Sequence, residues 1–277
     1  WGYTDPFTTQ FSLSSKSTKD ASIAGYGTLY RSLEEPNLLS KTSTLLKRIG
    51  KDKNCLFGRF VHHHIIECGH GWQILLGNCL MQMYGKCGLV NEAQCIFNMI
   101  PNPDSYAWNI LINVYGHNKG ICDANRVFRC MPFPNVVSWN VMVTLLSSNG
   151  HGKETLNLFQ DMQVRGIMPN GVTCIATMEA CSMLVSLQEG KKIHAIIGNA
   201  GYDDNVLVGT SLINMYGRCG CLRSAKSVFD VISYRDVVTW TAMIGCLSQN
   251  GCNMQALEHF QNMECEGIPP NDITFIC

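Results

Sequence analysis

The chain has 277 residues, 46% of them hydrophobic, with 21 basic and 21 acidic side chains. Zero net charge excludes a general attraction to phosphate as the main source of any nucleic-acid affinity, and the lack of an apolar run of about 18 residues excludes a membrane-spanning helix. Fifteen cysteines without one C-x-x-C pair argue against a zinc site or a disulfide scaffold and for a reducing compartment.

In chain order, residues 1–38 come first. They are rich in Ser and Thr, show no period, and are expected to be a disordered non-repeat segment. Arg is scarce there, which makes a poor targeting signal. Beyond them the chain repeats itself: Asn78-Cys-Leu-Met-Gln-Met-Tyr-Gly-Lys-Cys-Gly88 returns as Thr210-Ser-Leu-Ile-Asn-Met-Tyr-Gly-Arg-Cys-Gly220. Such units bury their apolar faces only by stacking on one another. Aligning the recurrences gives repeats at 39–73, 74–104, 105–135, 136–170, 171–205, 206–236 and 237–271, then the start of another at 272–277.

Within that register, position 4 holds Trp108, Trp139 and Trp240, and position 20 holds Ala93, Ala124, Ala225 and Ala256. Position 24 holds Phe97, Phe128, Phe159, Phe229 and Phe260. Positions 4, 8 and 11 have helical spacing and predict a first helix. Glycine at position 15 (Gly88, Gly150, Gly220, Gly251) ends that helix in the left-handed conformation. In repeat 105–135 Lys119 stands there and Gly120 follows, which predicts a shifted turn. Positions 20, 24 and 27 predict a second helix. The expected fold is therefore all-α, an α-solenoid of stacked helix-turn-helix repeats forming a superhelix. The aromatic columns are expected in the core. Cys87, Cys95 and Cys219 are expected there as small hydrophobes. His62, His63 and His64 project about 100° apart on a helix and do not converge on one ion. They are expected to be structural, and no metal ligand or cofactor is expected.

The phrases Val136-Val-Ser-Trp-Asn140, Glu189-Gly-Lys-Lys-Ile-His194, Asn214-Met-Tyr-Gly-Arg-Cys-Gly220 and Ala225-Lys-Ser-Val-Phe229 make the chain, over roughly 39–277, resemble the pentatricopeptide repeat family of plant organelles. The W-x2-L-G signature of tetratricopeptide repeats is absent. The mixture of 35- and 31-residue units resembles the PLS subclass, although two short units in succession depart from its simplest order.

The resemblance implies that single-stranded RNA is read one base per repeat, by the fifth and last residues. These pairs are Asn78/Asp104, Asn109/Asn135, Asn140/Asn170, Thr210/Asp236 and Thr241/Asn271. Asp only accepts, so it suits the central N–H of uracil or guanine. Asn donates, so it suits cytosine or adenine. The family pattern adds Asn at the fifth position for pyrimidines and Thr for purines. Repeat 171–205 carries Ile175, which has no hydrogen-bonding side chain, with Asn205. The implied footprint is 5′-U-Y-Y-N-G-A-3′. The second residues Leu75, Tyr106, Val137, Leu207 and Val238 are implied to wedge between bases. Two plainer readings stand beside these: helix capping for the last residues and helix-start packing for the second ones.

The implied role is site recognition in organellar RNA processing, above all C-to-U editing, in a mitochondrion or chloroplast and with editing-complex proteins as further partners. RNA stability or splicing and a protein-binding scaffold are the alternatives, and neither DNA nor membrane is expected as a partner. Without H-x-E or C-x-x-C, no catalytic residue is assigned, and a deaminase-like domain would lie beyond Cys277.

Overall fold

The computed structural model describes residues 38–67, 73–202 and 204–277. The non-repeat segment expected at 1–38 lies outside them, save for its last residue. Among the described residues there are fifteen helices and no strand, and none of the helices is long and apolar enough to cross a membrane.

The chain divides into two compact lobes at Gly120. The N-terminal lobe holds α1 (Leu38–Asp52), α2 (Cys55–Glu67), α3 (Ile74–Lys86), α4 (Val90–Met99) and α5 (Ser105–His117). The C-terminal lobe holds α6 (Ile121–Cys130), α7 (Val136–Ser148), α8 (Gly152–Val164), α9 (Gly171–Leu184), α10 (Leu187–Asn199), α11 (Val206–Arg218), α12 (Leu222–Val231), α13 (Val237–Gln249), α14 (Asn253–Cys265) and the short α15 (Asp272–Ile276). Antiparallel hairpins stack in each lobe, as an α-solenoid requires. First helices lie against first helices, α1 on α3 on α5 and α7 on α9 on α11 on α13. The second helix of each hairpin also touches the first helix of the next, as α12 does α13.

Side chains explain the stacking. Ala93, Ala124 and Ala225 are fully buried; a larger residue there would hold the hairpin apart. Each leaves room for a phenylalanine that meets the tryptophan of the next hairpin edge to face: Phe97 and Trp108 at 4.7 Å, Phe128 and Trp139 at 5.0 Å, Phe229 and Trp240 at 4.9 Å between ring centres. That geometry places a ring's positive edge on its neighbour's negative face. His62 and His194 belong to the same design. Their Nδ1 atoms lie 2.9 and 2.8 Å from the hydroxyls of Tyr84 and Tyr216, so each histidine braces the next repeat.

Two expectations fail. The turn in repeat 105–135 is not shifted. Lys119 itself adopts φ +65°, alongside Gly88, Gly150, Gly220 and Gly251 at +69° to +82°. Lys53 (+52°) and Val185 (+50°) do the same. Gly120 N–H closes the turn on Tyr115 O, as His151 N–H does on Leu146 O, both at 2.9 Å. The helix-end hydrogen bonds therefore dictate the backbone, and a side chain with the wrong preference tolerates it at about 1 kcal/mol. The cysteines named from the pattern are also misplaced. Cys87 and Cys219 are half-buried caps at the ends of α3 and α11, and Cys95 is exposed. Ala93 and Phe97 face inward four residues apart, so Cys95 between them points the other way. Among the described residues the buried thiols are Cys79, Cys174, Cys181 and Cys246.

Candidate functional site

The last residue of each repeat precedes a helix, and in every repeat but 39–73, which ends in Gln73, its side chain caps that helix. Asp104 Oδ1 accepts from Ala107 N–H at 2.8 Å, Asn135 Oδ1 from Ser138 N–H at 3.0 Å, and Asn170 Oδ1 from Thr173 N–H at 3.1 Å. Asn205, Asp236 and Asn271 accept from Val208, Thr239 and Thr274 in the same way. The plainer reading of these residues is thus a fact of the structure. It does not use up the side chain. Only the oxygen of an amide accepts, so the cap settles which Asn atom faces the helix and leaves the NH2 as a donor. A capped Asp keeps its second oxygen as an acceptor.

The fifth residues begin the second turn of each first helix, at the seam between stacked helices. Asn78, Asn109, Thr210 and Thr241 are buried, 4 to 9% exposed, and Asn140 is half-buried. Their hydrogen bonding differs sharply. Asn78 Oδ1 and Asn109 Oδ1 are buried with no partner. Asn140 Oδ1 accepts from Thr173 Oγ1 at 2.5 Å. Thr210 Oγ1 lies 3.1 Å from Thr239 Oγ1, and Thr241 Oγ1 lies 2.8 Å from Thr274 Oγ1.

The structure consequently brings some pairs together through one hydroxyl of the following repeat. Thr239 Oγ1 donates to Asp236 Oδ1 at 2.9 Å, and Thr274 Oγ1 lies 2.9 Å from Asn271 Oδ1. Thr173 Oγ1 stands 3.1 Å from Asn170 Oδ1. Asn140/Asn170, Thr210/Asp236 and Thr241/Asn271 are therefore linked pairs. Asn78 and Asp104 have Ala107 at the corresponding place and no such link. Asn109 belongs to the N-terminal lobe and Asn135 to the C-terminal one.

The second residues stand in solvent. Leu75, Tyr106, Val137, Leu207 and Val238 are 53 to 68% exposed, so helix-start packing does not account for them. Val172 and Ile273 share the position and the exposure, at 53 and 63%; the sequence reading omitted both, although their register alone picks them out. In the C-terminal lobe, Val238 and Ile273 line a groove of about 480 Å³ with Thr210, Thr241, Asn271 and Ile175. Cys246 is at its wall, with a thiol pushed up to about 11 by burial. It offers no charge at neutral pH. The groove thus joins an apolar ridge to short hydrogen-bonding groups, a surface suited to flat polar rings. Among the described residues no three His, Cys, Asp or Glu side chains group to hold a metal ion.

Comparison with known proteins agrees with this architecture. The family models "PPR repeat family" and "PPR repeat" match residues 134–183 and 235–277, and residues 78–102, 106–132 and 210–237, respectively. A mitochondrial pentatricopeptide repeat-containing protein of Arabidopsis thaliana is 31% identical over 87% of the chain and 30% of its own length. A chloroplastic one from the same plant is 29% identical over 84% of the chain and 33% of its own length. The chain spans 37% or less of the length of these curated relatives. The fold also matches the crystal structure of the pentatricopeptide repeat protein PPR10 in complex with an 18-nt psaJ RNA element. The TM-score is 0.67 at 18% identity, over 94% of this chain and 39% of that one.

Proposed function

Because the chain belongs to the pentatricopeptide repeat family, we propose that residues 39–271 form an array that binds single-stranded RNA one base per repeat, through the fifth and last residues. The observation that carries this reading is the groove of the C-terminal lobe. There the exposed Val238 and Ile273 flank Thr210, Thr241 and Asn271. Apolar side chains between successive short polar ones suit bases that stack on the former and are hydrogen-bonded by the latter. The bound RNA of PPR10 supports the same reading.

The assigned footprint is 5′-U-Y-Y-N-G-A-3′. Asn78/Asp104 reads U, Asn109/Asn135 and Asn140/Asn170 read pyrimidines, Thr210/Asp236 reads G and Thr241/Asn271 reads A. The capping bonds support the second half of the assignment, because they leave Asp an acceptor and Asn a donor. In the cell the array works as a PLS-type site-recognition factor for organellar transcripts, with C-to-U editing as the process it serves. The compartments in the names of relatives support an organelle.

The direct test is Thr210→Asn, assayed with labelled oligoribonucleotides that differ only at the fifth footprint base. Preference should move from G toward U by roughly tenfold, the size of one good base contact. An unchanged preference would remove Thr210 from the site. Disrupting the gene and sequencing organellar transcripts tests the cellular role: one or a few C-to-U conversions should disappear.

A further inference from the structure

The third residue of a repeat has no part in the reading above, yet where it is Thr173, Thr239 or Thr274 its hydroxyl touches both assigned readers of the repeat before it. We propose that the hydroxyls of Thr173, Thr239 and Thr274 are positioning groups for RNA reading by the preceding repeat. Each ties the fifth residue to the last, and Thr173 and Thr239 settle whether their fifth residue offers the groove a donor or an acceptor. This rests on the base-reading function proposed above.

The argument is one of counting protons. A hydroxyl has one proton to donate and lone pairs to accept with. Asp236 is a carboxylate that accepts only, so Thr239 must donate its proton to Asp236 Oδ1 across their 2.9 Å contact. The 3.1 Å contact between Thr210 and Thr239 is then donated by Thr210. Thr210 has spent its proton inside the protein and shows the groove lone pairs alone. Its partner Asp236 also shows an acceptor. Two acceptors side by side match guanine, whose pairing edge carries adjacent N–H donors.

The next repeat reaches the same end by another route. Thr241 Oγ1 is within donating distance of its own helix carbonyl, Val237 O, at 2.7 Å and of Thr274 Oγ1 at 2.8 Å. Whichever one takes its proton, that proton stays inside the protein. Thr241 therefore also presents acceptors, while the capped Asn271 presents its NH2. Acceptor beside donor matches adenine, with N6–H2 next to N1. At Asn140 the sign reverses. Thr173 Oγ1 donates to the amide oxygen, which leaves the NH2 of Asn140 for the groove. The rule is that a third-position hydroxyl fixes the polarity of the fifth residue one repeat earlier wherever the helix carbonyl does not already hold that proton, as Val237 O does at Thr241.

The test exploits that offset. Val208 occupies the third position of its own repeat and is fully enclosed, so the position accepts valine, and Thr239→Val should fold. It frees the Thr210 proton to donate into the groove, where adenine N1 is an acceptor and guanine N1–H is not. With the full chain and oligoribonucleotides carrying G or A at the fifth footprint base, discrimination should fall by about fivefold, as expected for one neutral hydrogen bond. Discrimination at the sixth base should not change. Thr239→Ser keeps the hydroxyl and should restore the fifth-base preference. Thr274→Val is the control: Thr241 keeps its proton on Val237 O, so the preferences at the fifth and sixth bases should both stay as they are.

A uniform loss of affinity for every RNA, or an effect of Thr239→Val on the sixth base alone, would show that the hydroxyl is merely structural. If Thr210→Asn redirects the fifth base while Thr239→Val leaves it untouched, base reading stands and the positioning role falls. If neither variant alters any preference, both fall.

Discussion

The two lobes treat the same position in opposite ways. In the N-terminal lobe, Asn78 and Asn109 bury an amide oxygen that bonds to nothing. In the C-terminal lobe, Asn140, Thr210 and Thr241 are each tied to a threonine in the first helix of the next repeat. A buried polar atom without a partner costs about 1–3 kcal/mol, whereas a satisfied one braces the stack. One lobe thus carries its fifth residues as a liability to stability, and the other has built them into the fold. A liability that a leucine would remove is better explained by a ligand than by packing.

The largest single loss of stability concerns the caps. Asp236 Oδ1 accepts from both Thr239 N–H and Thr239 Oγ1, and Asp104 Oδ1 accepts from Ala107 N–H alone. Asp236→Ala should cost about 2 kcal/mol and Asp104→Ala about 1 kcal/mol, read as shifts of a urea midpoint. Equal losses would break the comparison. Next comes a change of sign. Asn78→Leu should stabilise by about 1 kcal/mol, because it removes an unsatisfied oxygen, whereas Thr210→Val should destabilise by about 1 kcal/mol, because it removes a made bond. Both should abolish preference at their own base. If both variants destabilise equally, the orphaned oxygen of Asn78 is not a cost. The smallest effect lies in the turns. Val185→Gly relieves a branched residue at φ +50° and should raise the melting temperature, a net gain of about 0.5 kcal/mol after the added chain entropy. The same substitution at an ordinary helical site, such as Val228, should lower it.

Much of the architecture is legible in the sequence because it is written in large side chains at fixed intervals. Trp139, Phe128 and Ala124 announce a hairpin and its neighbour before any coordinates exist. The left-handed turns at Lys119 and Val185 are not legible, since a hydrogen-bond pattern imposes them on residues that disfavour them. The exposure of Cys95 was recoverable from its place between Ala93 and Phe97, and attention to residue type obscured it. Least visible is the third position. Thr239 and Val208 fill it with the same shape, and the difference between them matters only across a repeat boundary, to residues 29 positions away in the case of Thr210.

The capping bonds also bear on how such an array can be recombined. Asp236 closes repeat 206–236 in the alignment, but its side chain accepts from Thr239 and its carbonyl from Trp240, both of the next one. A gene exchange cut after Asp236 transplants two assigned readers and strands the hydroxyl that aligns them. A cut placed after Thr239 moves the three as one cassette. The working module of this chain is offset by three residues from the repeat that spells it.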